Sequence, residues 1–287
     1  MPDFVFWNHE FVPQDTARVS VMDAGFLHGV GLFETMRARN GVVFRIDQHL
    51  ARMKNSADAL DLTLPDSFDE LPGHAHQLLQ RNGLTEARLR LTITPGHSNE
   101  SGDPSVLLFT VPLAPYPPEF YARGITVRLS SSRQNLQSAI SRHKTISYYD
   151  RLAALREAAA DSCAEGLWFT HDGALAEGCI SNVFVIRDGR VRTPPLETPV
   201  LPGITRHAVL ELAAGQRDVE QCRLTIDDLL DADEVFLTNV MMKVMPVCRV
   251  ERKDIGNGKP GPITSDLAKA FDELLERECR HGSPTPS

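Results

Sequence analysis

The sequence predicts an α/β (α+β) protein of two domains, a smaller N-terminal α+β domain and a larger, strand-rich C-terminal α/β domain. Three observations carry this. The chain has 287 residues, more than one hydrophobic core usually organises. Segments that alternate with period two, such as Ala87 to Thr94 (ARLRLTIT), stand beside amphipathic helical ones such as Ile46 to Leu60, so strands and helices are mixed. The stretch Val111 to Pro118, VPLAPYPP, holds four prolines and can continue neither a helix nor a central strand. It reads as a linker, giving a first domain over 1–115, a linker over 116–121 and a second domain over 122–287.

In chain order, Phe4 to Val12 and Gly41 to Arg45 read as strands, Ile46 to Leu60 as a helix and Ala87 to Thr94 as a strand. After the linker, Ile125 to Leu129 reads as a strand and Tyr148 to Ala160 as a helix. Strands at Gly166 to Phe169 and Ser181 to Ile186 flank the turn residues His171-Asp172-Gly173. Leu201-Pro202-Gly203 opens a helix over Ile204 to Ala214, a last helix covers Ser265 to Glu278, and Gly282 to Ser287 reads as a loose tail.

Thirty Lys and Arg stand against 38 Asp and Glu, a formal net charge of −8, and no basic run interrupts them. Nucleic acid and anionic membrane surfaces, which need clustered cations, are therefore excluded as partners. There is no apolar run of ~18 residues for a membrane span and no leader pattern at Met1-Pro2-Asp3-Phe4, so a cytoplasmic location is expected. The five cysteines lack CxxC spacing and predict free thiols, with neither a disulfide framework nor a zinc site. Gly29-Val30-Gly31 fails as a dinucleotide turn because Glu34 stands where the third glycine belongs. Gly256 to Gly261 (GNGKPG) lacks the Ser or Thr of a phosphate-binding loop and reads as a surface turn. His74 and His76 have no third ligand at a suggestive spacing and read as solvated helix histidines.

One constellation differs in kind. Lys144 lies between a strand-like segment and the helix that starts near Tyr148, a carboxylate follows at Glu177 with Ser181-Asn182 close behind, and a helix opens at Ile204. A reactive lysine, a positioned carboxylate and a helix N-terminus able to hold an anion are what pyridoxal phosphate demands. The lysine, with a solution pKa of about 10.4, must react as the free amine.

Six blocks carry a resemblance: GLFETMR (Gly31 to Arg37), RIDQHLARM (Arg45 to Met53), HKTISYY (His143 to Tyr149), AEGCISNVF (Ala176 to Phe184), PGITR (Pro202 to Arg206) and ADEVFLTNVMMKVMPV (Ala232 to Val247). In this order they resemble the class IV aminotransferases, the fold-type IV enzymes of pyridoxal 5'-phosphate that include branched-chain and D-amino acid transaminases and aminodeoxychorismate lyase. The resemblance implies that Lys144 forms the Schiff base with the cofactor aldehyde and serves as the catalytic acid and base, and that Glu177 bonds the pyridine nitrogen. It assigns the cofactor phosphate to Arg45, to the backbone N–H groups of Ile204 and Thr205, and to Thr238. Tyr148 is implied near the phenolate oxygen, although Tyr149 beside it would take that place after a one-residue slip. The cofactor is expected between the two domains.

For the substrate, Arg88 and Arg90 lie two apart and would share a strand face, a pair suited to a carboxylate; the resemblance points to Arg90 in that role. It also implies a homodimer in which His28 and Phe26 approach the partner's site. The loop reads Val30 where many members carry an acidic residue. The reaction stays open between two outcomes. GFLHGVGLFETMR, the pair Thr238-Asn239 and VMMKVMPV favour aminodeoxychorismate lyase, which lacks the Thr-Gly-Thr turn of many branched-chain transaminases. The stretch Ile255 to Leu267 (IGNGKPGPITSDL) favours an amino acid transaminase.

Overall fold

The computed structural model describes residues 3–97 and 103–280. Contacts divide the chain into two units. The first holds the residues up to Ala114 together with His143–Ser147 and the chain from Leu274; the second holds Pro115–Arg142 and Tyr148–Glu273. Two later segments thus belong to the first unit, which a single boundary near residue 115 leaves out. The tail Gly282 to Ser287 lies outside the described residues. Among those described, no helix is long and apolar enough to cross a membrane.

The first unit begins with a hairpin instead of one strand over Phe4 to Val12. β1 (Phe4–Trp7) and β2 (Glu10–Pro13) pair antiparallel, and the chain reverses at Asn8, whose φ of 55° suits asparagine better than most residues. α1 (Ala24–His28) is capped by the Asp23 carboxylate, which accepts the Gly25 N–H. β3 (Leu32–Arg39) and β4 (Val42–Val43) turn on Asn40-Gly41, both at positive φ, as Asn-Gly hairpins do. The strand expected over Gly41 to Arg45 therefore shrinks to two residues, and Arg45 already stands at the N-cap of α2 (Ile46–Ala59). α3 (Leu71–Arg81), β5 (Ala87–Thr94) and β6 (Ser105–Pro112) follow. The sheet runs β2-β1-β6-β5-β3-β4. Phe6, Met36, Leu89, Leu91 and Leu108 form its apolar face against Leu50 and Met53 of α2 and Leu78 of α3. His74 serves this core: its ring stacks on Phe6 at 4.1 Å and is not the solvated histidine expected.

The second unit opens with α4 (Pro118–Arg123), a short helix where the linker was expected; proline is tolerated in a first turn that needs no N–H partner. β7 (Ile125–Gln134), α5 (Tyr149–Ala160), β8 (Glu165–Thr170), β9 (Leu175–Gly178), β10 (Asn182–Arg187), β11 (Arg190–Thr193), α6 (Ile204–Ala214), β12 (Val219–Gln221) and α7 (Ile226–Leu230) come next. The chain closes with β13 (Glu234–Asn239), β14 (Lys243–Val250), β15 (Lys253–Asp254) and α8 (Pro262–Glu278). The strands join in the order β12-β11-β10-β13-β14-β7-β8-β9, with β15 on β14. All of β8 and all but the last residue of β10 are buried, which explains why they show runs of apolar residues instead of alternation. β10 and β13 pair with Asn182 opposite Thr238, a register that positions the site below.

Candidate active site

Lys144 lies in the segment His143–Ser147, which is sewn to the start of β3 in the first unit. Its carbonyl accepts the Phe33 N–H at 2.8 Å, the Ile146 N–H donates to the Gly31 carbonyl at 3.0 Å, and Thr145 bridges Leu32. The preceding side chain turns to α2, where His143 Nδ1 lies 3.0 Å from the Ser56 hydroxyl. The Lys144 ammonium is 4.6 Å from the centroid of the Phe33 ring, and the Arg90 guanidinium is 3.9 Å from the same centroid. One aromatic ring thus collects two cations, each contact worth ~0.5–1 kcal/mol or more when desolvated.

Arg88 and Arg90 leave β5 on one face, because Ala87, Leu89 and Leu91 fill the core on the other. Across the antiparallel pair, Arg37 stands opposite Arg88 and Thr35 opposite Arg90. Arg45 holds a left-handed backbone, φ 51°, which costs an arginine about 1–3 kcal/mol. Its guanidinium makes a two-pronged pair with Glu278, Nε to Oε2 and Nη2 to Oε1, both 3.0 Å. His28, Phe26 and Val30 are exposed around the end of α1.

In the second unit Glu177 is 1% exposed and answers for its burial with four donors, as a buried carboxylate must. Oε1 accepts from Arg151 Nη2 at 2.7 Å and Gln134 Nε2 at 3.1 Å; Oε2 accepts from the Leu201 N–H at 2.8 Å and Asn182 Nδ2 at 3.4 Å. Asn182 continues the chain of contacts. Its Nδ2 also donates to the Leu201 carbonyl at 2.8 Å, and its Oδ1 presses so closely on Gly203 that a Cβ there would collide with it. Glycine is required at this close approach. It brings the start of α6, with Ile204 and Thr205, up to β10 and to Thr238 opposite Asn182.

That start is built for an anion. No side chain caps α6, so its first N–H groups face outward with the positive end of the helix dipole. The hydroxyls of Thr205 and Thr238 are buried without a hydrogen-bond partner among the described residues, a state that costs about 1–3 kcal/mol apiece. Buried hydroxyls without a partner and open helix amides are the donors that a phosphate group takes. The residues present therefore fit pyridoxal phosphate. Tyr148, at the N-cap of α5, has the Arg151 guanidinium 5.8 Å from its ring centroid, while Tyr149 is 74% exposed. Within this unit it is Tyr148 that neighbours Arg151.

Several partners escaped the sequence reading. Arg151 follows Tyr148 by three residues on a helix, a spacing that could have pointed to it. Glu165 on β8 is also 1% exposed. Burial pushes its carboxyl up to about 7, against the opposing pull of the Ile180 N–H at 2.9 Å and the Ser181 hydroxyl at 2.8 Å. In the first unit Glu34, His49 and Arg52 form a buried ionic network. His49 Nδ1 donates to Glu34 Oε2 at 2.7 Å and Arg52 Nε to Oε1 at 2.8 Å.

Comparison with known proteins identifies the family. The profile of the amino-transferase class IV family matches residues 31–250. The aminodeoxychorismate lyase of Bacillus subtilis is 32% identical over 281 residues, covering 95% of this chain and 94% of that one. A putative branched-chain-amino-acid aminotransferase of Methanocaldococcus jannaschii is 31% identical over 277 residues, 94% of this chain and 96% of its own. Among solved structures, the T.th. branched-chain amino acid aminotransferase with pyridoxamine 5'-phosphate superposes with a TM-score of 0.91 at 28% identity, covering 98% of this chain and 96% of that one. The architecture is that of the fold-type IV enzymes. The chain belongs to the class IV aminotransferases and is an enzyme that works with pyridoxal 5'-phosphate.

Proposed function

We propose that this chain is an aminodeoxychorismate lyase, converting 4-amino-4-deoxychorismate to 4-aminobenzoate and pyruvate. The row of arginines on the sheet of the first unit carries this reading: Arg37 stands opposite Arg88, Arg90 follows two residues along, and Arg90 shares the Phe33 ring with Lys144. A substrate with two carboxylates suits such a row, since a guanidinium grips a carboxylate through two parallel hydrogen bonds. The aliphatic side chain of a branched-chain amino acid offers it nothing. The turn after Thr238 adds support. Asn239 Oδ1 accepts the N–H groups of Met241 and Met242, each at 2.8 Å, so those amides are used within the turn and carboxylate recognition falls to the arginines.

When bound, pyridoxal phosphate supplies an aldehyde that takes up an amine and a ring that accepts an electron pair. Lys144 would provide the amine that holds the cofactor and would act as the base that removes the proton from the carbon bearing the substrate's amino group. With that proton gone the C–O bond on the adjacent carbon breaks and the ring becomes aromatic; the enolpyruvate that leaves takes up the proton Lys144 removed and so becomes pyruvate. Glu177 would bond the protonated ring nitrogen of the cofactor, and Tyr148 would serve its phenolate oxygen. The Ile204 and Thr205 N–H groups and Thr238, together with Arg45, would hold the phosphate, and Arg88 and Arg90 would orient the substrate.

Offering 4-amino-4-deoxychorismate in parallel with L- and D-amino acids plus 2-oxoglutarate or pyruvate tests the reading. Release of 4-aminobenzoate is the expected result; keto-acid release from the amino acids, with no 4-aminobenzoate, would replace it with amino acid transamination. That second reading is favoured by the aminotransferase relatives of similar identity. We further propose a homodimer, with His28 and Phe26 serving the partner's site. Support comes from Val19, Val21, Phe26 and Leu27, apolar side chains 44–70% exposed along one short segment, as interaction surfaces are. Phe26→Asp is expected to shift sedimentation from dimer to monomer; a parent protein that sediments as a monomer would end the idea.

A further inference from the structure

We propose that Arg151 is a positioning residue that sets how firmly Glu177 holds the proton of the cofactor's ring nitrogen, an inference that rests on Glu177 bonding that nitrogen. The Arg151 guanidinium touches two groups to which the proposed function gives a contact with the cofactor ring. Its Nη2 donates to Glu177 Oε1 at 2.7 Å, and its carbon lies 5.8 Å from the centroid of the Tyr148 ring. It cannot swing away at little cost. Nη1 donates to the Cys179 carbonyl at 2.8 Å, the Trp168 ring lies 5.1 Å from its carbon, and its side chain is 18% exposed.

The chemistry follows from competition for one carboxylate. A carboxylate that already accepts a charged hydrogen bond from an arginine has less electron density to offer another donor. The guanidinium also places a positive charge beside any cation that Glu177 binds. Both effects weaken the hold on a ring-nitrogen proton, and the strength of that hold decides how readily the ring takes up an electron pair. The other groups around Glu177 do not duplicate Arg151. Gln134, Asn182 and the Leu201 N–H are neutral donors. Glu165 on β8 carries a carboxyl that burial raises to about 7, and the Cys179 thiol is pushed up by burial to about 12. Arg206 on α6 also feels Glu177, and burial lowers it. For Arg151 burial acts the same way, yet Glu177 and Tyr148 outweigh it and the guanidinium is held more firmly protonated. Arg151 is a cation bonded directly to Glu177.

The test reads the ring nitrogen itself. Holoenzyme reconstituted with isotope-labelled pyridoxal phosphate is titrated while the ring-nitrogen NMR signal is followed in the parent protein and in Arg151→Gln, Arg151→Lys and Glu177→Gln. Arg151→Gln, which keeps a donor but loses the charge, is expected to raise the midpoint of ring protonation by about one pH unit or more. Arg151→Lys should stay with the parent, and Glu177→Gln should lower the midpoint. If Glu177→Gln shifts the signal and Arg151→Gln does not, the role given to Arg151 is wrong while that of Glu177 stands. A Lys variant that shifts as far as the Gln variant also overturns it, because charge would not be the cause. If Glu177→Gln leaves the signal where it was, the reading of Glu177 falls and the inference with it. Should Arg151→Gln fail to fold, Arg151→Met is titrated in its place with the same expected direction and the same result overturning the role.

Discussion

Lys144→Ala is expected to lower turnover by more than about a thousandfold, the scale on which losses of a nucleophile and of a general acid and base are felt. The fold should survive the change. What holds the lysine segment in place is backbone: the Phe33 N–H on the Lys144 carbonyl, the Ile146 N–H on the Gly31 carbonyl and the bridge from Thr145 to Leu32. Alanine keeps all three. The lysine side chain meets the Phe33 ring at 4.6 Å, and losing that contact costs about 1 kcal/mol. Cofactor should still bind, through its phosphate and ring, but as a dissociable ligand that dialysis removes, whereas the parent protein retains it. Turnover, thermal melting and cofactor content after dialysis together separate loss of chemistry from loss of structure. A fully active alanine variant would move the site elsewhere.

The candidate residues stood out in the sequence because each sits in a compact motif with strong punctuation: Lys144 ahead of a helix, Glu177 ahead of Ser181-Asn182, Ile204 behind Pro202-Gly203. Elements with a clean period were equally legible, and β5 and α6 fall on the residues that alternation and helix signals picked out. β3 was not, since Glu34 occupies a position on its apolar face and breaks the alternation. The partners of the functional groups were hidden for a related reason. Glu278 grips Arg45 across 233 residues of chain, and Gln134 reaches Glu177 from a different strand. No local spacing encodes such pairs; they exist only once distant elements have packed together. Arg151 is the exception, legible in principle from its place one turn after Tyr148.

Arg52→Met is expected to destabilise the protein by about 3–5 kcal/mol, the usual penalty for removing one partner of a buried ionic group. Glu34 is 1% exposed and Arg52 9%, so a carboxylate stripped of its arginine cannot turn to water. Burial by itself would raise the Glu34 carboxyl, yet the charge and hydrogen bonds of Arg52 and His49 hold it down from 4.5 to about 2. The sign of the pH dependence follows. The unfolded chain binds a proton at Glu34 that the folded chain refuses, so this stabilisation is fully present above about pH 4.5 and is lost as the pH falls toward 2. His49 acts in the same direction, because burial lowers it from 6.5 and the unfolded chain alone takes up its proton as the pH drops below that value. Urea unfolding of the parent should therefore weaken steadily from about pH 6.5 downward, with Arg52→Met showing a smaller loss across the acid range. Replacing all three residues together, Glu34→Leu, His49→Leu and Arg52→Met, should recover most of the stability that Arg52→Met loses, since an apolar cluster leaves no charge stranded. If the single variant proves as stable as the parent, the network contributes nothing net and Glu34 must be protonated at neutral pH. If the triple variant proves no better than the single one, the cost lies in packing α2 on β3 and not in the buried charge.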